Sequence, residues 1–173
     1  MKFEKKKIGG VIIDGADQMG KSTVAERLLG LMSEVTKVKT IHYGRNKTTM
    51  SEIDYYTQPL SDDYPYIIDR NYVSEMVYGP IYRGGSMIND NDMREIERRF
   101  TFANYFVVLI NRTGYEWEDR PEEYDKDGND RVIEAYKDIY AKIGMDKMLI
   151  STSNPVDMVG DIVDYWIEKN GLI

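Results

Sequence analysis

Residues 15–22 read Gly-Ala-Asp-Gln-Met-Gly-Lys-Ser and match the spacing G-x-x-x-x-G-K-[ST] in full, with Thr23 following. A chance match in a chain of 173 residues is on the order of one in a hundred. The flanks sharpen it. Ile8-Gly9-Gly10-Val11-Ile12-Ile13 before it is short and β-branched, as a buried strand is. After it, Val24, Leu28 and Leu31 recur at helical spacing. Each residue type then has a physical task. Gly15 and Gly20 let the backbone curl so that the amides of Ala16, Asp17, Gln18 and Met19 turn inward onto phosphate oxygens. Lys21 reaches the β- and γ-phosphates, and the Ser22 hydroxyl is a ligand for Mg²⁺. The helix starting there adds its positive end, with Thr23 in its first turn. The pattern predicts binding of a nucleoside triphosphate with Mg²⁺, which by itself does not separate a kinase from a GTPase or a motor.

Charge and composition narrow the partners. The chain carries 23 Lys+Arg against 30 Asp+Glu, a net charge of −7, so a broad duplex-binding surface is disfavoured. Without cysteine and with His42 as the sole histidine, thiol catalysis, cysteine-bound metal and a multi-histidine cage are excluded. No apolar run is long enough to span a membrane, and the basic start Lys5-Lys6-Lys7 leads into the phosphate motif rather than a signal-peptide core. A cytoplasmic protein acting on a small molecule is expected. The oligomeric state stays open, with a homodimer among the options.

Further strands are predicted at 35–43, at Tyr66-Ile67-Ile68, at 105–110 and at 147–150. Helices are predicted at 74–78 (stopped by Gly79-Pro80), from Asp90 or Asn91 to about Thr101, from Asp130 to Ile143, and from Asn154-Pro155 onward. Residues 44–64 read as a loop with room for a short helix, and charged residues 113–130 as a lid over the ligand. Strands alternating with helices predict an α/β protein: a three-layer α/β/α domain with a five-stranded parallel sheet, spanning 1–173 as one unit.

The third strand ends in Asp69-Arg70, where open α/β sheets face their ligand. An acid there can hold Mg²⁺ or its waters, and an Arg can fork onto phosphate. Here the chain resembles the thymidylate kinase-like branch of the P-loop nucleoside and nucleotide kinases. Two blocks carry the resemblance: Asp14-Gly15-Ala16-Asp17 running into the phosphate loop, and Asp69-Arg70 followed by Ser74 and Tyr78. A weaker third is Arg131…Tyr136 after the lid. The resemblance implies a P-loop kinase fold. It implies that Asp17 holds the acceptor sugar, that Asp69 and Arg70 stand beside Mg²⁺ and the acceptor phosphate, and that Ser74 and Tyr78 shape the acceptor pocket. Since Gln18 stands where some members carry an Arg, it also implies a catalytic Arg from the lid: Arg120 is the first choice, with Arg112 and Arg131 as rivals.

The expected activity is ATP- and Mg-dependent phosphoryl transfer to a deoxynucleoside monophosphate, a dTMP-like acceptor, with Lys21, Asp17, Arg70 and Arg120 as the catalytic set. Arg112 is also placed in the ATP site, packing on adenine or reaching phosphate. Thymine reading itself is not inherited: the family's long base-reading helix is replaced by residues 44–68, and its Gln by Gly79. Tyr55, Tyr56 and Tyr72 are candidates for stacking on a base. Three rival readings stand beside this one: a deoxynucleoside kinase, a kinase of a modified base or DNA end, and a non-catalytic nucleotide-binding regulator. His42 reads as a structural residue at a strand end, and the Arg94, Arg98, Arg99 stripe as a solvated helix face.

Overall fold

A computed structural model describes residues 6–114 and 126–172, with backbone alone at 126 and 127. Five strands, β1 (Val11–Asp14), β2 (Lys39–His42), β3 (Tyr66–Asp69), β4 (Phe106–Ile110) and β5 (Lys147–Ile150), form one parallel sheet in the order β2-β3-β1-β4-β5. β1 lies at the centre and is buried from end to end, as is β4 beside it. That is why both read as unbroken apolar runs rather than alternating ones.

Six α-helices lie among the described residues: α1 (Lys21–Met32), α2 (Glu52–Tyr56), α3 (Tyr72–Tyr82), α4 (Asp90–Phe102), α5 (Lys126–Lys142) and α6 (Val159–Asn170). The route from β1 to β2 runs one way across the sheet, and the routes β2 to β3, β3 to β4 and β4 to β5 run the other way. Right-handed crossovers therefore put α1 on one face and α2 to α5 on the opposite one. The packing agrees: α1 lies against α6, α3 against α5 and α2 against α4. The Trp166 indole, fully buried, donates to the Gly9 carbonyl at 2.7 Å and ties α6 to the start of β1. No helix among the described residues is long and apolar enough to cross a membrane.

Several boundaries differ from those the sequence predicts. α3 begins at Tyr72, capped by Asn71, and runs through Gly79-Pro80 to Tyr82, because tertiary contacts along it outweigh the stop signal. α4 is capped by Asn89 in a reciprocal box with Asp92, not by Asp90 or Asn91. α5 begins four residues before Asp130: Gly128 and Asn129 are buried, and packing overrides the turn signal Asp127-Gly128-Asn129. The lid drawn at 113–130 is thus helical from 126, and its 115–125 segment lies outside the described residues. Pro155 opens a short 3₁₀ turn, and α6 itself starts at Val159.

Candidate active site

The site is built at the carboxyl ends of β1, β2 and β3. β1 ends in Asp14, and residues 15–20 turn back to start α1. The turn needs unusual backbone: Gly15, Gln18 and Gly20 all have positive φ (142°, 61° and 87°), the last as the α1 cap. At Gly15 a Cβ would overlap the Ile110 carbonyl on β4, so only glycine lets the loop cross the sheet there. Ala16 and the Met19 side chain are buried beneath the loop, while the Ser22 and Thr23 side chains stay exposed at its mouth.

Asp14 holds this turn in place. Its fully buried carboxylate accepts five hydrogen bonds. Oδ1 takes Gly15 N at 2.9 Å, Ser74 Oγ at 2.7 Å and Tyr136 Oη at 2.7 Å, and Oδ2 takes Asn71 N at 3.3 Å and Ser74 N at 3.2 Å. Burial pushes the Tyr136 phenol well above its usual range, so it stays protonated and donates. One carboxylate thereby joins the phosphate loop to α3 and to α5, the helix that follows the lid.

Two clefts open side by side above these strand ends. The smaller, about 360 Å³, is lined by residues 17–23 with His42, Asp69 and Arg70. The larger, about 600 Å³, is lined by Asp17, His42, Tyr43, Gly44, Arg45, Tyr56, Arg70, Ser74, Glu75, Tyr78 and Arg83. Asp17, His42 and Arg70 belong to both and form the partition. Arg70 has the left-handed φ of +63°, its amide bonds the Ile13 carbonyl at 2.9 Å, and its guanidinium pairs with Asp17 while lying over the Tyr78 ring at 5.2 Å. Lys21, almost fully buried, donates to the Ala16 carbonyl. Burial lowers its pKa to about 8, helped by the Arg70 charge and opposed by Asp14, Asp17 and Asp69.

Among the described residues the buried Oδ1 of Asp69 has no hydrogen-bond partner, and its Oδ2 lies 3.4 Å from Nδ1 of His42, its register neighbour on β2. With the exposed Ser22 hydroxyl on the same cleft, this donor set fits Mg²⁺, a hard ion that takes few protein oxygens and keeps several waters. Among the described residues, no cluster of three or more His, Asp or Glu forms a ready-made cage.

Most motif residues thus converge. Gly20, Asp17, Gln18, Met19, Lys21, Ser22, Thr23, Asp69 and Arg70 line the smaller cleft, and Ser74 and Tyr78 line the larger. Arg112 lies outside the lining of both: its Nε donates to the Ser153 carbonyl at 3.1 Å and its amide to Met19 Sδ at 3.2 Å. Arg131 is exposed on α5, and Arg120 lies outside the described residues. Of the three stacking candidates, Tyr56 lines the larger cleft, beside Tyr43 and Tyr78, and Tyr55 does not. Tyr72 does not reach it; fully buried, it donates to Glu97 at 2.9 Å. Arg98 and Arg99 pair with Glu95 on the α4 surface.

Sequence reasoning gave no site role to His42, Tyr43, Gly44, Arg45 and Glu75, which line the larger cleft. His42 had a signal in its register with Asp69; the others had none in their spacing. Asp14 is marked in the sequence only as part of the block that runs into the loop, and its partners Ser74 and Tyr136 are brought to it by the fold. The sequence alone leaves Arg83, in its glycine-rich loop, between touching substrate and touching nothing; the structure places it on the larger cleft.

No protein-family model matches the sequence, and neither does any curated protein. Solved structures do match. A structure of YorR from Bacillus subtilis in complex with phosphorylated GDP has a TM-score of 0.71 at 20% identity, over 91% of this chain and 96% of that one. Thymidylate kinase from Candida albicans has a TM-score of 0.58 at 16% identity, over 94% and 92% of the two chains. Thymidylate kinase from Ehrlichia chaffeensis has a TM-score of 0.58 at 14% identity, over 92% and 98%. The chain has the thymidylate kinase-like P-loop kinase fold, with its five-stranded parallel sheet.

Proposed function

We propose that the protein, as a single domain, transfers the terminal phosphoryl group of ATP to a deoxynucleoside 5′-monophosphate. One observation carries the reading: a phosphate-loop cleft and a second, larger cleft meet at a shared partition of Asp17, His42 and Arg70. A donor in the first and an acceptor in the second bring their phosphates together at that partition.

The backbone amides of the loop and the α1 terminus hold the donor phosphates, with Lys21 on the β- and γ-oxygens. Ser22 and Asp69 hold Mg²⁺, which offsets charge on the donor phosphates when bound. Arg70 faces both clefts and stabilises charge at the transferring group, and Asp17 beside it accepts from the acceptor sugar. An oxygen of the acceptor phosphate bonds to the γ-phosphorus as the bond to the β-phosphate oxygen breaks, releasing ADP. That oxygen is already anionic, so no strong base is required. The cleft suits this: Arg45, just past β2, lines it where a nucleoside kinase would place an acid, and Arg70 lines it at the partition. Arg120, the arginine the resemblance assigns to catalysis, adds positive charge at the transferring group.

Incubating the protein with γ-labelled ATP, Mg²⁺ and a panel of nucleosides and their 5′-monophosphates tests this. Label is expected on monophosphates, and Lys21→Met is expected to abolish it. Label on nucleosides alone moves the chain to the nucleoside kinases; ATP binding with no labelled acceptor leaves a nucleotide-binding regulator.

A further inference from the structure

The larger cleft holds a charged pair that none of the motif residues accounts for. Glu75 lies on α3 with its side chain only 1% exposed, and Arg83, 27% exposed, pairs with its Oε2. Oε1 of Glu75 accepts the Met87 amide at 3.0 Å. Both residues line the cleft. A guanidinium has five donor hydrogens and a carboxylate about four acceptor positions. The protein contacts engage each Glu75 oxygen once and one Arg83 nitrogen, so further hydrogen-bonding capacity belongs to the second lone pairs of the carboxylate and the remaining N–H groups of the guanidinium, on a cleft that both residues line.

The pair lies on the α3 wall of the cleft: Glu75 is the fourth residue of α3 and Arg83 caps its carboxyl end, whereas Arg70 stands just past the end of β3. Tyr56, buried to 1% exposure, is close enough to feel both charges and forms the neighbouring wall. Gly79 makes room for the arrangement: a Cβ there would meet Gly85 O and Ser86 Cα at 2.8 Å and Glu75 Oε1 at 3.1 Å. The glycine that replaces the family's Gln lets Gly85 and Ser86 pack back onto α3, on the way to the Met87 amide that bonds Glu75.

We propose that Glu75 and Arg83 read the base of the acceptor and select bases that present a carbonyl next to a ring N–H. Guanine, thymine and uracil carry that edge: Arg83 donates to the carbonyl and Glu75 accepts the N–H. Adenine and cytosine present the reverse, an amino group beside a bare ring nitrogen, so donor meets donor and acceptor meets acceptor. This deepens the monophosphate reading and rests on it.

The experiment measures kcat/KM for dGMP, dTMP, dAMP and dCMP with the wild type, Glu75→Gln and Arg83→Lys. The wild type is expected to prefer the first two by roughly ten- to a hundredfold. Glu75→Gln offers both a donor and an acceptor, so it should raise dAMP and dCMP use and narrow the ratio at least tenfold. Arg83→Lys keeps a cation against the buried Glu75, so the fold is retained while the planar fork is lost and the preference falls. Equal use of all four by the wild type, or a proportional loss on all four in both variants, overturns the proposal. Equilibrium dialysis of the same four monophosphates without ATP separates the two readings. If transfer fails but the binding preference exists and collapses in the variants, the kinase reading falls and base reading stands. If none of the four binds, base reading falls.

Discussion

Asp14→Asn tests the idea that one buried carboxylate anchors the phosphate loop. The carboxylate accepts five bonds, three on Oδ1 and two on Oδ2. An asparagine has a single acceptor oxygen and must place an amide NH₂ at the other position. With the NH₂ at the Oδ2 position it faces two backbone N–H groups, of Asn71 and Ser74, and neither can reverse. With the NH₂ at the Oδ1 position, the Ser74 and Tyr136 hydroxyls can rotate to accept, and only the Gly15 amide is stranded. The second orientation wins. Its cost is one buried unsatisfied N–H, about 1–3 kcal/mol, plus the loss of charge assistance in the remaining bonds. A net loss of about 2–4 kcal/mol follows, a drop in Tm of roughly 5–15 °C for a chain of this size. The stranded amide belongs to the first residue of the phosphate loop, so ATP affinity falls as well. Asp14 is also one of the charges that raise the Lys21 pKa against burial. Its removal lowers that pKa further, and the affinity loss should be larger at pH 8 than at pH 6.5. Thermal unfolding by circular dichroism and calorimetric ATP titration at the two pH values measure both effects. A Tm within about 2 °C of wild type, with unchanged ATP affinity, refutes the anchoring role.

The remaining predictions concern the clefts. With Lys21 near pKa 8, the free protein loses its loop cation as pH rises through 8, and bound phosphates restore it; ATP affinity should fall by up to about tenfold per unit above pH 8, with proton uptake seen by calorimetry in buffers of different ionisation heat. The folded pKa lies below the unfolded one, so this Lys destabilises the fold below about pH 8, and that penalty fades between 8 and 10.5. Lys21→Met should therefore abolish transfer without lowering Tm at neutral pH. Gly79→Ala should destabilise by about 1–3 kcal/mol, because the loop backbone at 2.8 Å must move, and it should weaken discrimination among monophosphates. Arg120→Ala should lower kcat by roughly 10²–10⁴ if it stabilises transition-state charge; an unchanged kcat moves that role to Arg112 or Arg131.

The sheet was legible because its signals are local. Val11 to Ile13 and Phe106 to Ile110 sit at the sheet centre and must be apolar on both faces, so composition alone reveals them. The phosphate loop was legible for a related reason: its chemistry is done by backbone, and the glycines that free the backbone are adjacent in sequence. Where the reading failed, distant contacts outvoted a local preference. Gly79-Pro80 is a stop signal by propensity, yet α3 continues to Tyr82 because the loop after it packs back onto Gly79. Gly128 is a poor helix residue by about 1 kcal/mol, yet it is buried within α5.

The same division separates the halves of the site. The phosphate half depends on residues contiguous at 14–23 and at 69–70, each group fixed by one strand end. The opposite half depends on Tyr56, Glu75 and Arg83, which come from α2, α3 and the loop after α3 and meet only once the chain is folded. Asp14 belongs to both kinds. Its position beside Gly15 is local, but its partners Ser74 and Tyr136 lie 60 and 122 residues away. A motif can therefore report that phosphate is handled, because phosphate is gripped by neighbouring residues. It does not report what lines the larger cleft, because those groups come from α2, α3 and the loop after α3 and are assembled by the tertiary fold.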